Sequence, residues 1–101
     1  MADWKYRLKN GEALRSAIDS EDYEAVLDTL VNCWKELHRR FPDDYDEQDL
    51  NDDLDAIENE RDNLENYEDY GMTFEDVEDN INYILNNLYD FCDYKRVWIE
   101  I

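Results

Sequence analysis

Tyr23-Glu-Ala-Val-Leu-Asp-Thr-Leu-Val-Asn-Cys-Trp-Lys-Glu-Leu-His-Arg-Arg-Phe-Pro42 is the stretch that decides the fold. Tyr23, Val26, Leu27, Leu30, Val31, Trp34, Leu37, His38 and Phe41 recur at three and four residues, the period of a helix with one buried face. Pro42 disfavours helical geometry for the residue before it and so marks the end. A stripe this wide needs partners, and the rest of the chain must supply them.

Upstream, residues 12–19 predict a short helix with Ala13, Leu14, Ala17 and Ile18 on one side, and Ser20 offers an N-cap for the main helix. Before it, Trp4-Lys-Tyr-Arg-Leu8 alternates apolar and cationic side chains, as a half-buried strand does, and Asn10-Gly11 ends that run. Arg96-Val-Trp-Ile-Glu-Ile101 alternates likewise, with Val97, Ile99 and Ile101 on one face. These two segments predict a two-stranded β ribbon joining the termini. A lone ribbon is marginal in water, so it must lie against helices.

Downstream of the loop at residues 42–46, a third helix carries the thinner stripe Leu50, Leu54, Ile57, Arg61 and Leu64. Gly71 breaks it. Thr73, with Glu75 and Asp76 behind it, then caps a fourth helix whose inward residues are Phe74, Val77, Ile81, Ile84, Leu85, Leu88 and Phe91. Asn80, Asn82, Asn86 and Asn87 mostly face outward. The fold class is mostly α: one domain over residues 1–101, a bundle of three main helices with a short extra one and the terminal ribbon. Only two Gly and one Pro leave few places for β-turns.

The charge bounds the function. A net charge of −19 opposes binding to nucleic acid phosphates or an anionic membrane, so the partner is expected to be a basic protein or a cation. Hydrophobic residues at 43% and aromatics at 14% are nevertheless enough for a core. Residues 1–42 carry eight acids and seven bases, residues 43–80 eighteen acids and one base, and residues 81–101 three acids and two bases, for nets of −1, −17 and −1. The acidity is thus a property of one segment.

On the third helix Asp52, Asp55, Glu58, Asp62, Glu65 and Asp69 are three or four residues apart, which stacks carboxylates along one side, and Asp49, Asp53 and Glu60 widen the column. Like charges so placed cost about 0.2–0.5 kcal/mol per pair, and solubility needs a net charge of magnitude only about 2–8. Something beyond solvation is expected to retain them. A row of carboxylates on a rigid helix offers a charge pattern comparable to a phosphate backbone, and Tyr45, Tyr67 and Tyr70 stand where rings could imitate stacked bases or simply pack on the bundle.

In size, charge and style, most of all from Asp43-Asp-Tyr-Asp-Glu47 through Glu65-Asn-Tyr-Glu-Asp-Tyr70, the chain resembles the small acidic inhibitors of bacteriophages and mobile elements. This DNA-mimic class includes anti-restriction proteins, uracil-DNA glycosylase inhibitors and some anti-CRISPR proteins. The resemblance implies stoichiometric inhibition of a DNA- or RNA-handling host enzyme in evasion of host defence. The partner-binding residues would be Asp49, Asp52, Asp53, Asp55, Glu58, Asp62, Glu65, Asp69, Tyr67 and Tyr70. The chain is similar also to acidic helical immunity proteins that neutralise nuclease toxins. A third reading is a structural or adaptor protein with a merely solvating acidic face and an interface near Trp4 and Trp98.

Other chemistries find little footing. Residues 44–55 place acids at calcium-loop positions 1, 3, 9 and 12, but Asp49 stands where the EF-hand turn needs Gly, and the last position lacks the bidentate Glu. His38, the single histidine, lies on an apolar stripe without a partner nucleophile or phosphate loop, so no enzymatic activity, metal or cofactor is expected. Cys33 and Cys92 follow no metal or redox spacing and read as reduced core thiols. The absence of a charged, apolar leader or membrane span predicts a cytoplasmic protein, in the host cytoplasm if phage-encoded. Lys5, Arg7, Lys9, Lys35, Arg39, Arg40, Lys95 and Arg96 either pair with the chain's own acidic helix or meet that of a second copy, which would make a homodimer.

Overall fold

The computed structural model describes residues 6–98, with the backbone alone for Tyr6, Arg7 and Trp98. Among them are β1 (Tyr6–Arg7), α1 (Gly11–Asp19), α2 (Tyr23–Arg40), α3 (Glu47–Asn66), α4 (Phe74–Lys95) and β2 (Val97–Trp98). The helices form a slab of 45 × 29 × 16 Å. Each of α1, α2 and α3 packs on the next, so the helix order in the chain is also the order of neighbours. The strands pair in parallel, Tyr6 opposite Val97 and Arg7 opposite Trp98. Two residues a side make a bridge; the longer ribbon expected over 4–8 and 96–101 is not shown, and Trp4, Ile99 and Ile101 lie outside the described residues.

Local chemistry sets the helix ends. Ser20 is the C-cap of α1, not the N-cap expected for α2. Glu21 turns left-handed (φ 55°), which lets its N–H reach the Ile18 carbonyl and the Asp22 N–H reach that of Ala17. This two-bond closure leaves Asp22 as the N-cap of α2, its carboxylate accepting from Ala25 N at 3.2 Å. Asp46 caps α3 by accepting from Asp49 N at 2.9 Å. Thr73 and Asp76 form a reciprocal capping box on α4. Gly71 takes the positive φ (71°) of the turn between α3 and α4.

Val26, Leu27, Leu30, Trp34 and Leu37 of α2 are buried, joined by Leu14 and Ala17 of α1, Leu50 and Ile57 of α3, and Val77, Ile81, Ile84, Leu85 and Leu88 of α4. Phe74 departs from expectation: it is substantially exposed at the start of α4, where its ring meets Tyr23 and Tyr67 at 5.6 and 5.9 Å. Cys33 and Cys92 are free and buried, and burial, with smaller contributions from nearby acidic groups, pushes both thiols up to about 12. No described helix is long and apolar enough to cross a membrane.

One acid on α2 lies inside. Glu36 is 2% exposed. Its carboxylate accepts from the backbone N–H groups of Lys9 and Asn10, at 2.9 and 3.3 Å, and from Asn10 Nδ2 at 2.9 Å, while Arg40 pairs with it at 2.6 Å. It thereby pins the entry of α1 to α2, placing negative charge at the positive end of a helix dipole. Asn10 gives its side chain to Glu36, which explains why it makes no side-chain cap of its own. Removing one partner of a buried ion pair strands the other, so Glu36→Ala is expected to cost about 3 kcal/mol in urea unfolding. A loss below about 1 kcal/mol would show the carboxylate to be dispensable.

Candidate functional site

Helical spacing divides α3 into three faces. Leu50 and Ile57, with the half-buried Leu54 and Leu64, hold it to the bundle. Arg61, the only base between Asp43 and Asp79, reaches Asp28 of α2 at 2.7 Å and Glu58 at 3.4 Å. Asp49, Asp52, Asp55, Glu58, Asp62 and Glu65 are exposed, and the helical period sets Asp52, Asp55 and Asp62 away from the apolar seam with Asp49, Glu58 and Glu65 nearer its flanks. Successive members of that row lie one helical turn apart, about 5–6 Å between Cβ atoms. The helix ends at Asn66, so Asp69 extends the row from the following turn and not from the helix.

Among the described residues one cation reaches the row, Arg61 at Glu58. Among the described residues no cation pairs with Asp49, Asp52, Asp55, Glu65 or Asp69. The ion pairs there are those of Arg15 with Asp19, Arg40 with Glu36, Arg61 with Asp28 and Glu58, and Lys95 with Asp44. Thus Arg40 and Lys95 are engaged away from α3. Lys95 also lies over the Phe41 ring, and Asp44 holds its ammonium pKa above the ordinary value.

Two of the acids assigned to the outer column turn inward. Asp53 and Glu60 each stand three or four residues from Ile57, which rotates both toward the flank of the apolar seam, Asp53 to Tyr45 of the preceding loop and Glu60 to Asn80 of α4. Asp53 accepts from the Tyr45 hydroxyl at 2.5 Å. Burial lifts its carboxyl above the ordinary range against the opposing effect of that hydrogen bond, and Asp49 and Asp52 push in the same direction as burial. Glu60 is 5% exposed, and its Oε1 accepts from Asn63 at 2.8 Å and Asn80 at 3.0 Å.

The tyrosines separate too. Tyr45 is buried, stacked on Trp34 at 4.9 Å and packed against Phe91, and burial with the Asp53 contact raises its hydroxyl pKa. Tyr67 is half-buried against Phe74. Tyr70 is exposed and donates to Asp62 at 2.7 Å, with Asn66 donating to the other Asp62 oxygen at 3.0 Å. Tyr70 therefore stands beside the acid row as an accessible ring. His38 has a structural role, for its Nδ1 donates to the Tyr45 carbonyl at 2.8 Å and fixes the α2–α3 loop.

Sequence reasoning did not find a groove of about 300 Å³ between α3 and α4, lined by Ala56, Asn59, Glu60, Asn80, Tyr83 and Ile84. The small side chain of Ala56 and the outward Asn residues of α4 were the signals available for it. Among the described residues no group of three or more His, Cys, Asp or Glu is arranged to hold a metal ion. The geometry defines an exposed acidic face on a helical bundle. The chain matches no protein-family model, no curated protein and no solved structure.

Asp53 supplies a test of this geometry. Asparagine retains an acceptor for Tyr45 and removes the like-charge pair with Asp49, so Asp53→Asn is expected to stabilise the fold by about 0.5 kcal/mol at pH 7. A folded pKa above the unfolded one means that ionised Asp53 costs stability above the folded value, and that the cost is absent below about pH 4. Urea titrations should therefore show the gain at pH 7 and none near pH 3. Destabilisation at pH 7 would contradict the assigned environment.

Proposed function

We propose that the protein is a non-enzymatic inhibitor that occupies the cationic nucleic-acid site of a nucleic-acid-handling enzyme, such as a CRISPR effector, a restriction enzyme or a repair enzyme. One observation carries the reading: a row of exposed carboxylates, most of them without a cationic partner among the described residues, lies along a helix that is held to the bundle by apolar packing. Asp49, Asp52, Asp55, Glu65 and Asp69 serve as the freest phosphate surrogates, with Glu58 and Asp62 sharing their charge with Arg61, Asn66 and Tyr70. Tyr70 offers a ring at the end of the row. Asp53 and Tyr67 contribute from their half-buried positions, by shape more than by direct contact.

The physics favours a groove built for phosphate. An enzyme that grips nucleic acid presents Lys and Arg at intervals set by the backbone, and its site attracts any surface of matching negative pattern. Encounter is steered by the field of residues 43–80 and is fast and sensitive to salt. A nuclease toxin presents the same cationic cleft, so an immunity role rests on the same contacts.

Displacement of a labelled DNA duplex from such enzymes, followed by fluorescence anisotropy, tests the proposal. The concentration needed for half-displacement should rise about tenfold between about 50 and 300 mM salt. At low salt it should also rise about tenfold in the triple variant Asp52→Asn, Asp55→Asn, Glu58→Gln. Displacement that ignores both salt and these three acids would overturn it.

A further inference from the structure

We propose that the groove between α3 and α4 receives a single arginine side chain of the basic partner, which makes it the anchor point of the acidic face. The inference rests on the reading of that face as a docking surface and adds where, and by which residue type, the partner is held.

Glu60 carries the argument. It lines the groove, is 5% exposed, and its two amide donors, Asn63 and Asn80, both bond to Oε1. Oε2 is buried and finds no hydrogen-bond partner among the described residues. A buried carboxylate oxygen without a donor is destabilising, and a carboxylate has lone pairs for about four hydrogen bonds. The groove therefore leads to an acceptor whose natural complement is a cationic donor. Oε2 is covered in this state, so an entering donor would reach it by turning the carboxyl about its broad terminal torsion, with the amides of Asn63 and Asn80 adjusting to Oε1.

The remaining walls select among cations. Tyr83 is 68% exposed, unlike the core side chains around it, and it gives the groove an aromatic face. Ala56 and Ile84 supply apolar surface for an alkyl stem, and Asn59 and Asn80 carry amide oxygens that accept hydrogen bonds. A volume of about 300 Å³ lies at the lower limit of small-molecule sites and suits one long side chain. Guanidinium fits this set better than ammonium: it is planar, weakly hydrated, stacks on aromatic rings, and has five donors to share between a carboxylate and amides. Asp52 and Asp55 stand one helical turn before Ala56 and Asn59, so the field that draws the partner in also surrounds the entrance.

Hexa-arginine and hexa-lysine peptides, titrated by calorimetry at one salt concentration, test the inference. Hexa-arginine is expected to bind about tenfold more tightly, and Glu60→Gln and Tyr83→Ala should each remove most of that preference. The triple variant at Asp52, Asp55 and Glu58 should weaken both peptides alike and leave the preference intact. Equal affinity for the two peptides, or a preference that survives both groove variants, overturns the arginine anchor. Tyr83 is a surface residue, so its variant decides the matter even if Glu60→Gln disturbs the fold. Loss of affinity in the triple variant with no arginine preference would sink the groove but keep the acidic face. A preference lost in the groove variants alongside a silent triple variant would do the reverse.

Discussion

Everything that α3 presents outward depends on how few apolar side chains seat it. Leu50 and Ile57 are its buried anchors, with Leu54 and Leu64 partly covered beside them. Against them stand the like-charge neighbours Asp49/Asp52, Asp52/Asp55, Asp55/Glu58, Glu58/Asp62 and Asp62/Glu65. At about 0.2–0.5 kcal/mol each these sum to about 1–2.5 kcal/mol. Burying an Ile and a Leu contributes about 3–6 kcal/mol. The seam wins by a margin small enough that α3 would not persist as a lone helix, and its order comes from α2 and α4.

That dependence explains which parts of the architecture were legible from sequence. The α2 stripe from Tyr23 to Phe41 and the α4 stripe from Phe74 to Phe91 are wide, and periodicity placed both helices and most of their buried sides, with Phe74 the exception. Breakers and caps such as Pro42, Gly71 and Thr73 act within a few residues, so local chemistry located those ends. Ser20 misled because it resembles an N-cap. The left-handed turn at Glu21, which moves the cap to Asp22, depends on how α1 closes against its own carbonyls.

Less legible were the acids that face inward. Residue type marks Glu36, Asp53 and Glu60 as solvent-seeking, and only their partners make burial tolerable. For Glu36 only Arg40, one helical turn on, is a local partner; its other donors come from Lys9 and Asn10, more than twenty residues away in sequence, and no local pattern reveals them. Spacing did hold a clue for Asp53 and Glu60, since both sit a helical turn from Ile57, on the flank of the stripe. The outer row, by contrast, was readable because exposed carboxylates need no partner to be placed: the 3.6-residue period sets where they point.

The distribution of charge around this seam bears on why the acids are mounted on a helix at all. A disordered acidic tail would carry the same net charge but would lose conformational freedom on docking, which weakens binding for a given contact area. Here the ordering cost is met during folding by the apolar seam and by Arg61, and the nearly neutral segments before and after residues 43–80 provide most of the core against which that seam packs. Among the described residues only Arg61 reaches the row, at Glu58, while Arg40 and Lys95 are tied to Glu36 and Asp44. A surface evolved only for solubility gains nothing from such segregation, because interspersed charges of both signs keep a protein in solution as well. A fixed row with a single cation at Glu58 gains in field strength and in geometric definition, and on the proposed reading both serve a partner of opposite charge.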